Sequence, residues 1–154
     1  MRVAVGADEL GYDLKEAIKI HLEAQGHEVV DFGVTSDEVA DYPDVAKVVA
    51  LEVAAGHVER AVLCCGTGLG MAITANKVPG VRAGTVVDPY SAERLVKSND
   101  AQVLCLGGRV VTSEVAKLLV DHFMASQFQG GNSARKVAKI NALDDRRRRD
   151  LARP

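Results

Sequence analysis

The chain has 154 residues, about one average domain, and is 47% apolar, 26% charged and 4% aromatic, which excludes collagen-like, disordered and multidomain classes. Its 19 Lys and Arg stand against 21 Asp and Glu, a formal charge of −2, too balanced for a body that binds nucleic acid by charge. No Trp, three Phe and three Tyr argue against the exposed rings of base-stacking platforms or sugar-polymer clefts, so a small ligand is the expected partner.

Short β-branched runs alternate with longer segments of helical period, the pattern of an α/β domain with a parallel sheet covered on both faces. The predicted order starts with a strand at Arg2–Ala7 and a helix at Tyr12–Gln25, whose Leu14, Ile18 and Leu22 recur every four residues before Gly26 ends it. A strand at His27–Asp31 and a helix at Tyr42–Ala55, ended by Gly56, follow. Next come a strand at Arg60–Cys64, a short helix at Met71–Lys77 and a strand at Val81–Val87. A helix at Pro89–Ser98 has Pro89 in its first turn, and a strand at Val103–Leu106 precedes a helix at Ser113–Ala125 capped by Thr112 or Ser113. Beyond Gly130-Gly131, Ser133–Asp150 is polar, with a narrow stripe of Val137, Ile140 and Leu143 that suits a helix lying across another subunit. The chain thus divides into residues 1–131, the body, and residues 132–154, a dimer-crossing helix and basic tail of the same domain. The tail carries five Arg and three Asp from Asp144 onward and reads as a solvated helix end, with nucleic-acid binding the alternative.

Cys64, Cys65 and Cys105 are odd in number and form no C-x-x-C pair, so neither a disulfide framework nor a zinc site is expected. Met1 runs directly into a strand with no leader pattern, and no apolar run approaches membrane-spanning length. A cytoplasmic, reduced protein is expected. The histidines, His21, His27, His57 and His122, fall in helices or at strand starts and offer no acid–base group.

In an open parallel sheet the ligand sits at the carboxyl ends of the strands. Those ends carry Asp8-Glu-Leu-Gly11, Cys65-Gly-Thr-Gly-Leu-Gly70, Asp88-Pro-Tyr90 and Gly107-Gly-Arg109. Three glycines at alternate positions, 66, 68 and 70, let the backbone approach a ligand with its N–H groups exposed, and a following helix makes this an anion site. No Gly-Lys-Ser/Thr ends the loop, and it follows the third strand, so nucleotide cofactors are disfavoured. A glycine-rich turn that only packs helix to sheet is the competing reading. Cys64 and Cys65 should face opposite sides of the sheet, with Cys64 and Cys105 as small core residues. Cys65 lies beside amides that open a helix, a setting that favours a thiolate as base or nucleophile; a buried, inert Cys65 is the alternative. Asp8 and Asn99-Asp100 each also suit a cap or turn.

Taken together, Gly6-Ala-Asp8, Asp41-Tyr42-Pro43, Cys65 to Gly70 with Ala75-Asn76-Lys77, Pro89-Tyr-Ser-Ala92, Asn99 and Gly108-Arg-Val-Val111 resemble the ribose-5-phosphate isomerase B family, which includes galactose-6-phosphate isomerase subunits. The resemblance extends to about Ile140. It implies a Rossmann-like three-layer sandwich around a five-stranded parallel sheet and a homodimer, or a pair of such dimers, with sites at the subunit interface. It also implies cofactor- and metal-free interconversion of an aldose phosphate and a ketose phosphate through a cis-enediolate, with no nucleic-acid or membrane partner. On that basis Cys65 is the base, as in one branch of the family; the other branch uses Glu at the position that here is Met71. The Gly66–Gly70 amides hold the oxyanion, and Thr67 and Asp8 position and shuttle hydroxyl protons. Tyr42 and Asn99 hold sugar oxygens.

Three departures mark this chain. Ser98 stands where such ribose-phosphate isomerases carry a ring-opening His, and Glu9 replaces the usual His after Asp8. The basic pair after Gly-Gly is altered to Asn132 and Lys136, leaving Arg109, Arg135 and Lys136 to hold phosphate. A tetrose phosphorylated on its fourth oxygen cannot close a furanose ring and needs no ring-opening acid. The departures therefore favour erythrulose 4-phosphate/erythrose 4-phosphate over the family default, ribose 5-phosphate/ribulose 5-phosphate. A non-catalytic sugar-phosphate-binding or regulatory subunit is the alternative, against which Cys65, Thr67 and the intact glycine loop speak.

Overall fold

The computed structural model describes the backbone of residues 1–151 and the side chains of residues 1–144. The Arg146–Arg149 cluster, on which the two readings of the tail turn, lies outside the described side chains. Five strands and six helices alternate: β1 Arg2–Ala7, α1 Tyr12–Ala24, β2 Glu28–Asp31, α2 Tyr42–Ala54, β3 Arg60–Cys65, α3 Leu69–Ala75, β4 Ala83–Thr85, α4 Pro89–Lys97, β5 Val103–Gly107, α5 Ser113–Ala125 and α6 Asn132–Leu151. The strands form one parallel sheet in the order β2-β1-β3-β5-β4, as expected for a Rossmann-like sandwich. No helix among the described residues is long and apolar enough to cross a membrane.

Alternation along the central strands builds two cores, one on each face. Val3, Val5, Val62, Cys64, Leu104 and Leu106 pack under α1, α4 and α5. Ala4, Ala61, Leu63, Cys65, Val103 and Cys105 pack under α2 and α3. Cys64 and Cys65 therefore do face opposite sides, and all three thiols are free. Complete burial drives the Cys64 and Cys105 thiols far above the ordinary range, so both stay protonated core groups. Small residues set the layer spacing: a Cβ on Gly6 would lie 2.9 Å from Val45 and 3.0 Å from Leu63.

Caps follow the sequence signals. Thr112 accepts from the Val115 amide at the start of α5, and Asp88 from the Ser91 amide ahead of Pro89. The edge strand β4 is three residues long rather than seven; Asn76 pairs with both backbone groups of Ala83 (2.9 Å each), using its side-chain amide in place of a neighbouring strand. The short helix begins at Leu69, two residues earlier than the pattern predicts, because Gly68 at φ +78° turns the chain directly into it. In the C-terminal stripe, Val137 is buried against its own chain, whereas Ile140 and Leu143 are exposed.

Candidate active site

The strand register brings a first set of predicted site residues together. Ala7 pairs with Cys64 and Cys65 with Gly107, so Asp8, Cys65 and Gly107 end three adjacent strands at one edge. This edge holds the switch point of the sheet, where β1 connects outward to one side and β3 to the other. Close backbone approach there demands glycine. A Cβ on Gly11 would lie 2.4 Å from the Cys64 carbonyl, on Gly108 2.6 Å from the Leu10 oxygen, and on Gly107 2.7 Å from Thr67.

The 65–70 loop is held from several sides. The Gly68 amide donates to Cys65 Sγ (3.1 Å). The Leu69 amide donates to Thr67 Oγ1 (3.3 Å), and Thr85 Oγ1 donates to the Gly68 carbonyl (3.0 Å). The amides of Gly108 and Arg109 donate to the carbonyls of Cys65 and Gly66 (2.8 and 3.0 Å). Two of the amides at the head of the following helix, those of Gly68 and Leu69, are therefore used inside the loop.

Side chains from other elements close over this loop. The Tyr42 ring, carried at the start of α2, occupies the space a Gly70 side chain would need, 2.4 Å from the Cβ position. Leu10 and the Arg109 stem lie 3.3 and 3.9 Å from the Cβ position on Gly66. Asp8 is buried, and its Oδ1 accepts from the Leu10 and Gly11 amides (3.1 and 3.0 Å). Burial raises its carboxyl above the usual range, with the Glu9 charge adding to the rise and the Gly11 amide opposing it. The neighbouring Glu9 is exposed and reaches the Ala40 amide (3.4 Å). Cys65 is only 4% exposed, more enclosed than a residue at the rim of the edge.

Asp8, Cys65, Gly66, Thr67, Gly68, Gly70, Tyr42 and Arg109 thus share one edge within the chain. Ser98, Asn99, Arg135 and Lys136 do not. Ser98 and Asn99 lie between α4 and the start of β5, one strand length, about 16 Å, from the Cys65 edge. Gln129, just ahead of α6, donates its amide to the Lys97 carbonyl at the end of α4, so α6 with Arg135 and Lys136 starts at that same far edge. The motifs did not signal Leu10 or Thr85: an ordinary leucine and a strand threonine carry no distinguishing pattern.

Residues 3–140 match the Ribose/Galactose Isomerase family. The chain belongs to that family. This isomerase chain is 44% identical over 148 residues to ribose-5-P isomerase B of Listeria innocua, covering 96% of the chain and 100% of the relative. It is 45% identical over 141 residues to D-erythrulose-4-phosphate isomerase of Pectobacterium atrosepticum, covering 91% and 93%. The solved structure of Clostridium thermocellum ribose-5-phosphate isomerase B superposes with a TM-score of 0.93 at 42% identity, covering 95% and 99%. The isomerase is an enzyme of the sugar-phosphate aldose–ketose class.

Proposed function

We propose that the enzyme interconverts erythrulose 4-phosphate and erythrose 4-phosphate by proton transfer through a cis-enediolate, with Cys65 as the base. The observation that carries this reading is the enclosed Cys65 sulfur beside the glycine loop, combined with Ser98 where a ring-opening acid is otherwise expected. Cys65 takes the proton from the carbon next to the carbonyl and returns it to the neighbouring carbon. The amides of Gly66, Thr67 and Gly70 meet the developing oxyanion, an interaction typically worth about 3 kcal/mol per donor. Asp8, whose raised carboxyl carries a proton more readily than a surface Asp, moves the hydroxyl proton with Thr67, and Tyr42 covers the sugar. Ribose 5-phosphate/ribulose 5-phosphate is the second reading, favoured by the 44% identity to a ribose-5-P isomerase B along the whole relative.

The active unit is a homodimer. Arg109 belongs to the Cys65 edge, whereas Ser98, Asn99, Arg135 and Lys136 gather at the opposite edge of the same chain, so a complete site needs the second group from a partner copy. The exposed Leu69 and Ile73 on α3 beside the loop are apolar surface that such a partner would cover. A charged sugar phosphate is retained by membranes, and the enzyme acts on it in the cytoplasm.

Turnover on four-, five- and six-carbon aldose and ketose phosphates tests the assignment. A kcat/KM for the four-carbon pair at least about tenfold above that for the five-carbon pair supports it; the reverse order establishes the ribose reading, and no turnover on any rejects both. Cys65→Ala should lose at least about a thousandfold in kcat with little change in KM, as for a group acting in the transition state.

A further inference from the structure

Arg82, the residue before β4, has no role in the chemistry above, yet its side chain is only 13% exposed. Its guanidinium spends its donors on two separate segments. Nε donates to the Asn99 and Asp100 carbonyls (3.0 and 2.9 Å), and Nη2 to the Asp100 carbonyl and carboxylate (2.6 and 2.9 Å). Nη1 turns the other way, to Asn141 Oδ1 on α6 (2.9 Å) and the Gly80 carbonyl (3.4 Å). Beside it, the Gly80 amide donates to Asp144 of the same helix (2.7 Å).

Both segments matter to the site. The first is the turn that carries Ser98 and Asn99, and it includes Asp100 at φ +50°, the one non-glycine residue with positive φ among those described. The left-handed region is one that side chains disfavour, so the turn needs an external hold. The planar fork supplies it by taking the Asn99 and Asp100 carbonyls of the turn itself, while the carbonyls of the last turn of α4 go to the Ser98, Asp100, Ala101 and Gln129 amides. The second segment is α6, which carries Arg135 and Lys136.

We propose that Arg82 is a positioning residue that locks the Asn99 turn and α6 into one unit, so that the hydroxyl-holding and phosphate-holding groups meet the partner's Cys65 loop in fixed register. This rests on the reading above that those residues complete the partner's site. Groups that hold sugar oxygens and phosphate bind ground state and transition state alike, so loosening them raises KM more than it lowers kcat. Lys keeps the charge at position 82 but cannot span both segments.

Steady-state kinetics of the full-length Arg82→Lys enzyme should show KM raised about tenfold, with kcat within about threefold of the parent. Asn141→Ala removes an exposed contact and cuts only the α6 arm. It should weaken competitive inhibition by inorganic phosphate several-fold while leaving kcat in place, and it serves should Arg82→Lys fail to fold. Asn99→Ala is measured alongside. An unchanged KM in folded Arg82→Lys, or unchanged phosphate inhibition in Asn141→Ala, with KM raised in Asn99→Ala, overturns the role of Arg82 alone. No change of KM in Asn99→Ala overturns the two-edged site and the proposal with it.

Discussion

Asp8 shows how one side chain is pulled between stability and the chemistry proposed for it. Its Oδ1 caps the turn into α1 through the Leu10 and Gly11 amides, a structural duty that a neutral amide oxygen could also perform. Burial raises its pKa above the unfolded value, so the stability contribution is present below the ordinary carboxylate range and lost as pH rises through the folded value. Above that value the ionised, buried carboxylate therefore costs stability. Asp8→Asn should keep or raise Tm at pH 7 while kcat falls by about tenfold or more, and Asp8→Ala should lose about 1 kcal/mol of stability with the cap. Calorimetry paired with kinetics checks this; a lower Tm for the Asn variant would show that the charge itself holds the turn. Cys65 was legible as a candidate from its place in the glycine run. Its enclosure was not, because burial depends on α2 and α3, which reach it from elsewhere in the chain.

For the elements, the glycine loop is the instructive case. Alternate glycines announced a loop that needs backbone freedom, but the structure gives each a different reason. Gly70 makes room for Tyr42, Gly66 lies beneath Leu10 and Arg109, and Gly68 combines φ +78° with a Cβ position 2.9 Å from the Leu106 backbone. Gly56 has a similar φ, +74°, and open space around it, so it isolates the conformational part. Gly56→Ala should cost about 1 kcal/mol, and Gly68→Ala a further 1–3 kcal/mol, roughly, because the clash is with backbone that cannot step aside. Urea unfolding measures both; equal losses would mean that the Leu106 contact relaxes freely. Helices with strong periodicity, such as α1 and α5, were predicted to within a residue. The edge strand β4 was not: a strand is predicted over Val81–Val87, but only Ala83–Thr85 pairs with β5. Pairing, unlike periodicity, depends on what lies alongside.

At the scale of the whole molecule, the first edge strand is tied to α1 by a buried charge network. Lys15 Nζ, whose side chain is 2% exposed, reaches Asp31 (2.8 Å), Glu16 (2.7 Å) and the Val34 carbonyl (3.4 Å), and Lys19 shares Asp31 (3.1 Å). For Asp31 burial opposes ionisation, but the Lys15 bond and its companions win and lower its pKa. That contribution is present above the unfolded carboxylate value and lost as pH falls through the folded one. For Lys15 burial likewise opposes the charge, and the bonds to Asp31 and Glu16 outweigh it; its contribution is complete below the ordinary lysine range and lost as pH rises through its raised value. Lys15→Met should cost roughly 3 kcal/mol at pH 7, and the gap to the parent should narrow as pH falls below the ordinary carboxylate range and through the lowered value of Asp31. Urea titrations at pH 7, 4 and 3 test this, and a gap independent of pH would assign the loss to packing alone. Across two subunits, mixing the inactive Cys65→Ala chain with an impaired Asn99→Ala chain should restore about a quarter of parental activity, since half the dimers then hold one intact composite site. No recovery after subunit exchange would mean that each chain builds its site alone.

The alternation of strands and helices, the two-faced core and the chemical identity of the glycine loop with its cysteine are all written in the residue pattern. Side-chain periodicity and backbone conformational limits are local properties, written residue by residue. How the predicted site residues divide between the edges of the sheet follows from the fold instead. Strand register brings Asp8, Cys65 and Gly107 into one row, although Cys65 and Gly107 are far apart in the chain, and the return of α4 to the start of β5 carries Ser98 and Asn99 to the opposite edge. Which end of a sheet a residue occupies follows from the direction in which each helix crosses it. The local spacing of the Asn99 motif contains no such information, so the predicted site residues fall at two opposite edges of the sheet in each folded chain.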